Sequence, residues 1–324
     1  MSKNIFITRK IPGPGIKMLE EKGYTVDFNP KTYPPSQRQI IRALRRKPYD
    51  AVITLLTDKI DARVFDSAPT VKIYANFAVG YDNYDTTEAK KRGIIITNTP
   101  GNYTTCVAEH AFALMLGLTT RMVEGDDFMR RGKFNGWSPT HFIGTDLKGK
   151  KLGLIGAGRI GELVARSATR GFDMSVIYHD ISRNEKIEKE YGAVFAPTVE
   201  EVLAQADIVS LHVPLLDSTR HLINEARLKM MKPTSFLINT SRGPVVDEVA
   251  LVRALQTGVI RGAGLDVFEF EPRLVRGLTK LPNVILTPHI GSARESARNE
   301  MSTVAAENII DFFEGRSPRN AVNT

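Results

Sequence analysis

Short apolar and β-branched runs recur along the first hundred positions, at residues 5–8, 24–28, 51–54, 72–75 and 94–97. Segments with helical periodicity, such as 35–46, lie between them. Consecutive apolar positions in a short run are the pattern of a strand covered on both faces, and strands separated by helices pair in parallel. A second series follows at residues 151–155, 174–178, 193–195, 208–212, 235–239, 263–267 and 284–287. Thr198 with Glu201 has the spacing of a capping box and opens a short helix before the run at 208. A long helical stretch, 107–130, and a loop rich in Gly, Trp, Pro and Thr, 132–150, separate the two series. The last segment, 292–313, has the pattern of one long helix that crosses back to the first series. The pattern therefore predicts an α/β chain with two doubly wound parallel sheets.

Length and composition agree with two globular domains: 324 residues, 42% hydrophobic and 25% charged. No apolar run reaches the ~20 residues of a membrane span, and the apolar stretch near the N-terminus is too short for a signal peptide. A cytoplasmic protein with no membrane partner is expected. The single cysteine, Cys106, excludes an intramolecular disulfide and any multi-cysteine metal site, and no metal-ligand spacing occurs. The net charge of +8 is spread among interleaved acids and bases. Its densest cluster, Arg42, Arg45, Arg46 and Lys47, falls on one amphipathic helix and reads as a solvated face, so no nucleic-acid partner is expected.

The first chemical signal is GAGRIG at 156–161, entered from an apolar strand and leading into a helix. Gly156 permits a tight turn, Gly158 lets the backbone approach a pyrophosphate, and Gly161 lets helix and strand pack closely. The helix start carries unpaired N–H groups and a partial positive charge that suit phosphate. Asp180 stands just past the next strand, roughly 20 residues on, where a carboxylate hydrogen-bonds the ribose hydroxyls of NAD and repels a 2′-phosphate. Ser182 and Arg183 follow closely and offer groups for that phosphate. NADH is therefore the expected cofactor, with NADPH the alternative.

Hydride transfer to a carbonyl needs a proton donor, a group that holds the substrate and a partner for the donor. Strand ends carry the candidates, and ligand crevices of open α/β sheets lie there. Thr240, Ser241 and Arg242 follow the run at 235–239, and Arg242 has the fork that clamps a carboxylate. Asp266 sits inside the apolar run 263–267, where a charge is costly unless paired or functional. Glu271 lies shortly after it. The run 284–287 ends in Pro288, His289, Ile290 and Gly291. His212 ends another strand, and Val213 and Pro214 after it suggest a loop lining the cofactor.

Seven ordered segments carry a resemblance. They are AVGYDNYD (78–85), VAEHAFALML (107–116), LKGKKLGLIGAGRIG (147–161), LHVPLLDSTRHLI (211–223), MKPTSFLINTSRGPVVDE (231–248), GAGLDVFEFEP (262–272) and LPNVILTPHIGSA (281–293). Along nearly its full length the chain resembles the D-isomer-specific 2-hydroxyacid dehydrogenases, most of all their glyoxylate/hydroxypyruvate reductase branch. The resemblance implies two Rossmann-like domains with a cleft between them. A substrate-binding domain would comprise 1–101 and 289–324, and an NAD-binding domain 102–288. It makes Arg242 the substrate-binding arginine, His289 the acid/base and Glu271 its carboxylate partner. Asp266 is similar to a residue at the nicotinamide end, and Thr104 to a cofactor-contacting threonine. The remaining cofactor contacts expected along these segments are Arg159, Ile160, Thr219, Thr240, Ser241 and Gly291. The backbone N–H groups of Val79 and Gly80 resemble a second clamp on the substrate carboxylate, and Leu55 and Trp137 the walls of a small side-chain pocket. Trp137 further resembles a residue that reaches the partner subunit's site, although the stretch between Gly132 and Trp137 is shorter than the branch's pattern. The apolar helix around 111–118 and the Trp137 arm resemble dimer contacts, so a homodimer is expected. Other D-2-hydroxyacid dehydrogenases, D-lactate dehydrogenase among them, share this pattern. Non-catalytic NAD-sensing interaction proteins of the same fold share it too.

Overall fold

The structure is a computed structural model and describes residues 2–101 and 103–323. It divides into two compact units, Met1–Tyr103 with Ala293–Thr324, and Thr104–Ser292. The second changeover falls at 292/293 rather than 288/289. The His289 turn therefore belongs to the second unit, because its backbone is hydrogen-bonded to Asp266 there.

The first unit is built from β1 (Asn4–Ile7), α1 (Gly15–Glu21), β2 (Thr25–Phe28), α2 (Gln37–Leu44), β3 (Ala51–Leu55), α3 (Ala62–Ser67), β4 (Ile73–Phe77), α4 (Thr86–Lys91) and β5 (Ile95–Thr97). Its five parallel strands lie in the order β2-β1-β3-β4-β5. A reciprocal capping box of Ser36 and Gln39 opens α2, and Asp61 and Asp85 cap α3 and α4. Phe6, Val52, Tyr74 and Ile96 from the strands meet Ile40 and Val64 from the helices in one core.

The second unit holds α5 (Thr104–Thr119), α6 (Met122–Arg130), β6 (Lys151–Ile155), α7 (Arg159–Phe172), β7 (Ser175–His179), α8 (Glu185–Tyr191), β8 (Val194–Phe195), α9 (Val199–Gln205), β9 (Ile208–Leu211), α10 (Glu225–Leu228), β10 (Phe236–Asn239), α11 (Glu248–Gln256), β11 (Gly262–Leu265) and β12 (Val284–Leu286). The seven parallel strands run β12-β11-β10-β9-β6-β7-β8. Leu237 faces a core with Leu203, Leu251 and Ile260 on one side of the sheet. Its neighbour Ile238 faces Leu114, Leu154 and Val164 on the other. Two covered faces explain why these strands read as unbroken apolar runs. The chain direction along the sheet reverses between β6 and β9, so the loops after those strands flank a switch point. The last helix, α12 (Glu295–Phe313), returns to the first unit, packs on α1 and β4, and accepts the Gly15 N–H on Ser302 Oγ at 3.1 Å.

Three local expectations change. The helical stretch 107–130 breaks at Arg121, whose left-handed φ of 55° separates α5 from α6. Thr198 accepts the Glu201 N–H, but the Glu201 carboxylate meets the Thr198 hydroxyl instead of the Thr198 N–H, so the box closes on one side only. Asp266 lies just beyond β11 rather than inside a strand, because its carboxylate recruits the turn after β12. Among the described residues no helix is long and apolar enough to cross a membrane.

Candidate active site

β6 runs straight into the glycine turn at the switch point. Gly156 takes φ +96°, and a Cβ there would stand 2.7 Å from the carbonyl of His212 after β9. A Cβ on Gly161 would stand 2.3 Å from the Gly156 oxygen. Around Gly158 no heavy atom lies within 4 Å of a Cβ position. The outer two glycines thus answer to crowding, and the middle one borders open space that a side chain would fill. Gly158 gives α7 no side-chain cap, so the helix start before Arg159 and Ile160 suits an anion. Asp180, directly after β7, accepts the Ala157 N–H at 2.6 Å and the Ile181 N–H at 2.7 Å. Its carboxylate therefore stands over the turn. Arg183 is committed elsewhere: it forks onto Glu188 at 3.1 and 2.7 Å and lies over the Phe195 ring.

Two buried polar atoms just after strands β9 and β10 of the same sheet, His212 Nδ1 and Thr240 Oγ1, have no partner among the described residues. Such atoms are costly unless a ligand serves them. Burial pushes the His212 imidazole down to about 4, so it is neutral at physiological pH, and its Nε2 lies 2.9 Å from Ser210 Oγ. Thr219 closes the loop after Val213 and Pro214 by donating to the Pro214 carbonyl at 2.7 Å. Thr104 opens α5. Open cradle, uncapped helix start, placed carboxylate and orphaned polar atoms together fit a nicotinamide dinucleotide.

His289 and Glu271, the expected acid–base pair, lie in the same unit. His289 takes a left-handed φ of 56°, rare for a residue with a side chain. The Asp266 carbonyl and the Thr287 carbonyl both accept its N–H at 2.9 Å. Its Nδ1 lies 3.2 and 3.1 Å from the two oxygens of Glu271, and Glu271 also accepts the Phe268 N–H at 2.9 Å. Asp266 organises the turn from beneath. Its buried carboxylate accepts from Thr287 Oγ1 at 2.6 Å and from the N–H groups of Ile290 and Gly291 at 2.8 Å each. His110 of α5 stands 3.2 Å from it. Burial works to push this carboxyl up, but those hydrogen bonds outweigh it, and it stays below the ordinary carboxylate range. A turn with three backbone N–H groups and a hydroxyl tied to one residue is rigid enough to hold an off-pattern φ.

Arg242 follows β10. Asn239 shapes this corner: its Oδ1 accepts from the N–H and hydroxyl of Ser241 at 3.0 and 2.8 Å, and its Nδ2 donates to the Arg242 carbonyl at 3.0 Å. Arg242 Nη1 donates to the Ser241 carbonyl at 2.8 Å. Gly243 leaves no room for a Cβ, which would lie 1.9 Å from the Phe268 carbonyl carbon. The segment carrying Arg242 is thereby pressed against the segment carrying Glu271.

In the first unit, the residues expected to meet substrate lie at the end of β3 and in the loop after β4, which are tied to each other. Asn76 donates to the Gly80 carbonyl at 2.7 Å and Asn98 to the Val79 carbonyl at 2.7 Å. Asn83 donates to the carbonyls of Leu55 and Asp58 at 3.3 and 3.0 Å. Asp58, fully buried, accepts the Leu55 N–H at 2.8 Å. Trp137, in the second unit, is 84% exposed. Sequence reasoning missed His110, Asn76 and Asn83. The signal for His110 and Asn76, a polar residue within an apolar element, is the same as for Asp266, whereas Asn83 lies in a polar turn that carries no such signal. Among the described residues no group of His, Cys, Asp and Glu could hold a metal.

A glycine turn suited to a dinucleotide, with a His–Glu pair and an arginine at strand ends of the same sheet, is the arrangement expected of a nicotinamide-dependent oxidoreductase. Residues 112–291 match the family model of the NAD binding domain of D-isomer specific 2-hydroxyacid dehydrogenases. The chain is 48% identical to a glyoxylate reductase of Thermococcus litoralis over 327 residues, covering 100% of this chain and 97% of the relative. Its fold is similar to the TT0316 protein of Thermus thermophilus, with TM-score 0.91, 40% identity and 98% and 99% of the two chains covered. It is also similar to an NADPH-dependent glyoxylate/hydroxypyruvate reductase of Sinorhizobium meliloti solved with NADP and malonate, with TM-score 0.86, 32% identity and 99% and 97% covered. The chain belongs to the D-isomer-specific 2-hydroxyacid dehydrogenases.

Proposed function

We propose that the protein reduces small 2-oxo acids, glyoxylate and hydroxypyruvate foremost, to the 2-hydroxy acids with NADH. The observation that carries this reading is the His289–Glu271 pair, held on a pinned turn in the unit that bears the dinucleotide turn. The names of its relatives support the substrate class. Held at the Gly156–Gly161 turn with Asp180 beside it, a nicotinamide dinucleotide would supply a hydride for the C2 carbonyl. His289 donates the proton to the developing alkoxide. Glu271 holds the ring by Nδ1 and balances its positive charge before the proton leaves. Arg242 grips the substrate carboxylate with its planar fork and steadies negative charge on the carbonyl oxygen. The N–H groups of Val79 and Gly80 are the second contact on the carboxylate in this reading. Leu55 and Trp137 confine the C2 substituent.

The test is a kcat/KM panel of 2-oxo acids with each cofactor. Glyoxylate and hydroxypyruvate rank first, pyruvate is slower and phenylpyruvate is poor, since one methylene in an apolar pocket is worth about 1–3 kcal/mol. NADH exceeds NADPH because Asp180 repels a 2′-phosphate, and Asp180→Gly narrows that gap. A panel led by phenylpyruvate sinks the small pocket, and equal rates with both cofactors sink the NADH preference.

The same reading includes a two-fold homodimer. The helix around 111–118 is mostly buried within its own unit, with Ala111, Leu114 and Met115 in the core. It is α6 that has no buried residue. On it and the following loop, Met122, Val123, Met129, Phe134, Trp137 and Ile143 are exposed, an apolar surface that a second copy would cover. Sedimentation at micromolar concentration should give the dimer mass. A monomer there removes the claim.

A further inference from the structure

Behind Glu271 lies a second carboxylate pair that the chemistry above does not use. Glu248, the first residue of α11, is buried. Its Oε1 accepts the Glu269 N–H at 2.8 Å, and Glu269 in turn accepts the Glu248 N–H at 3.3 Å. The two residues thus bind each other's backbone across 21 positions. This double contact clamps the start of a four-residue segment, Phe268 to Glu271. The segment is already pressed against Gly243 and folded on itself by the Phe268 N–H to Glu271 bond. The clamp thus holds the backbone two residues before Glu271.

Burial first, and then the groups around it, set the protonation of Glu248. Glu269 and Glu271 face it from the segment it clamps, and Asp247 precedes it as the cap of α11. Beyond them His221, from the loop after β9, meets Glu269 at 2.6 Å, and His289 meets Glu271. Each histidine thus serves one of the two outer carboxylates, and Glu248 has neither. Its second oxygen is buried with no partner among the described residues, a position that penalises a charge far more than a neutral acid.

We propose that Glu248 is a positioning residue which, as a neutral acid, locks the 268–271 segment and so seats Glu271 against His289. This rests on the catalytic reading of that pair. Loss of the Glu248 proton places a third negative charge in the cluster and pushes Glu271 out of register. Burial, reinforced by the charges of Glu269 and Glu271 and opposed by the Glu269 N–H, pushes the Glu248 carboxyl up to about 7. A carboxyl that binds its proton more tightly in the folded state contributes stability that is complete below its ordinary value of 4.5 and is lost as pH rises through about 7.

Glu248→Gln keeps the acceptor and cannot ionise, and Glu248→Ala removes the side-chain half of the clamp. Two readouts are compared. The Tm of the wild type falls relative to that of Glu248→Gln as pH rises from about 5 to about 8. The ratio of kcat for Glu248→Gln over wild type stays within about threefold of one at pH 6 and rises toward pH 8, since every other titration is common to both enzymes. Glu248→Ala lowers kcat roughly 10- to 100-fold, as loss of an orienting partner does, with KM for NADH unchanged. Parallel Tm curves, a flat kcat ratio, or a Glu248→Ala enzyme with wild-type kcat each overturns the proposal. If Glu248→Ala does not fold, the Glu248→Gln comparison decides alone. Should His289→Ala prove fully active, the catalytic reading fails, while the Tm comparison still judges the protonation of Glu248.

Discussion

His289→Ala is expected to lower kcat for glyoxylate reduction by roughly 10²–10⁴, the span of a lost general acid, with NADH affinity retained. The ring is oriented by Glu271 on Nδ1, which leaves Nε2 as the nitrogen for the substrate oxygen in the proposed reaction. The backbone is secured independently of the side chain: His289 N–H binds two carbonyls, and the next two N–H groups bind Asp266. Removing the imidazole should therefore leave the turn in place and take away the proposed proton donor. One confounder is the left-handed φ of 56°, which alanine tolerates poorly. Asparagine adopts that conformation readily, so His289→Asn separates backbone strain from chemistry. Single-turnover rates with fluorescence titration of NADH supply the check. Equal losses in both variants assign the effect to the imidazole, and a near-wild-type rate in either one removes His289 as the donor.

Arg242→Lys is expected to cost roughly 10²–10³ in kcat/KM, the size of a lost oxyanion donor, and to cost it for every 2-oxo acid alike. An ammonium keeps the charge but loses the planar fork that meets a carboxylate with two parallel bonds. The corner around Arg242 is built by Asn239 and closed by Gly243 against Phe268, so the backbone presents the side chain in one direction and a shorter donor cannot follow the substrate. Because the carboxylate is common to all 2-oxo acids, the loss should not reorder them, whereas changes at Leu55 or Trp137 should. A kcat/KM panel with Arg242→Lys decides this. A loss confined to some substrates, or one below about threefold, transfers the carboxylate contact to another residue. Added guanidinium should restore part of the activity of Arg242→Ala, and failure of that rescue with a folded variant argues the same way.

The parts of this protein legible in its sequence are those encoded over short stretches. Apolar runs such as 151–155 and 235–239 are strands because consecutive side chains face two covered sides, Leu237 one core and Ile238 the other. GAGRIG and Asp180 could be read together because a βαβ unit brings a turn and a residue roughly 20 positions later to one place. Arg242 and His289 were visible as charged or titratable residues at strand ends. What tertiary structure decided is how buried polar groups find their partners. His110 and Thr287 meet across 177 positions, and Glu248 and Glu269 clamp each other from separate elements. Asp266 turns from a costly charge in an apolar run into the anchor of the His289 turn only when β11 and β12 lie side by side. Likewise, apolar residues on α5 and α6 look alike in sequence, yet α5 is covered by its own sheet and α6 is not. Periodicity records that a face is apolar, whereas only the assembled fold determines what covers that face and which donor reaches which acceptor.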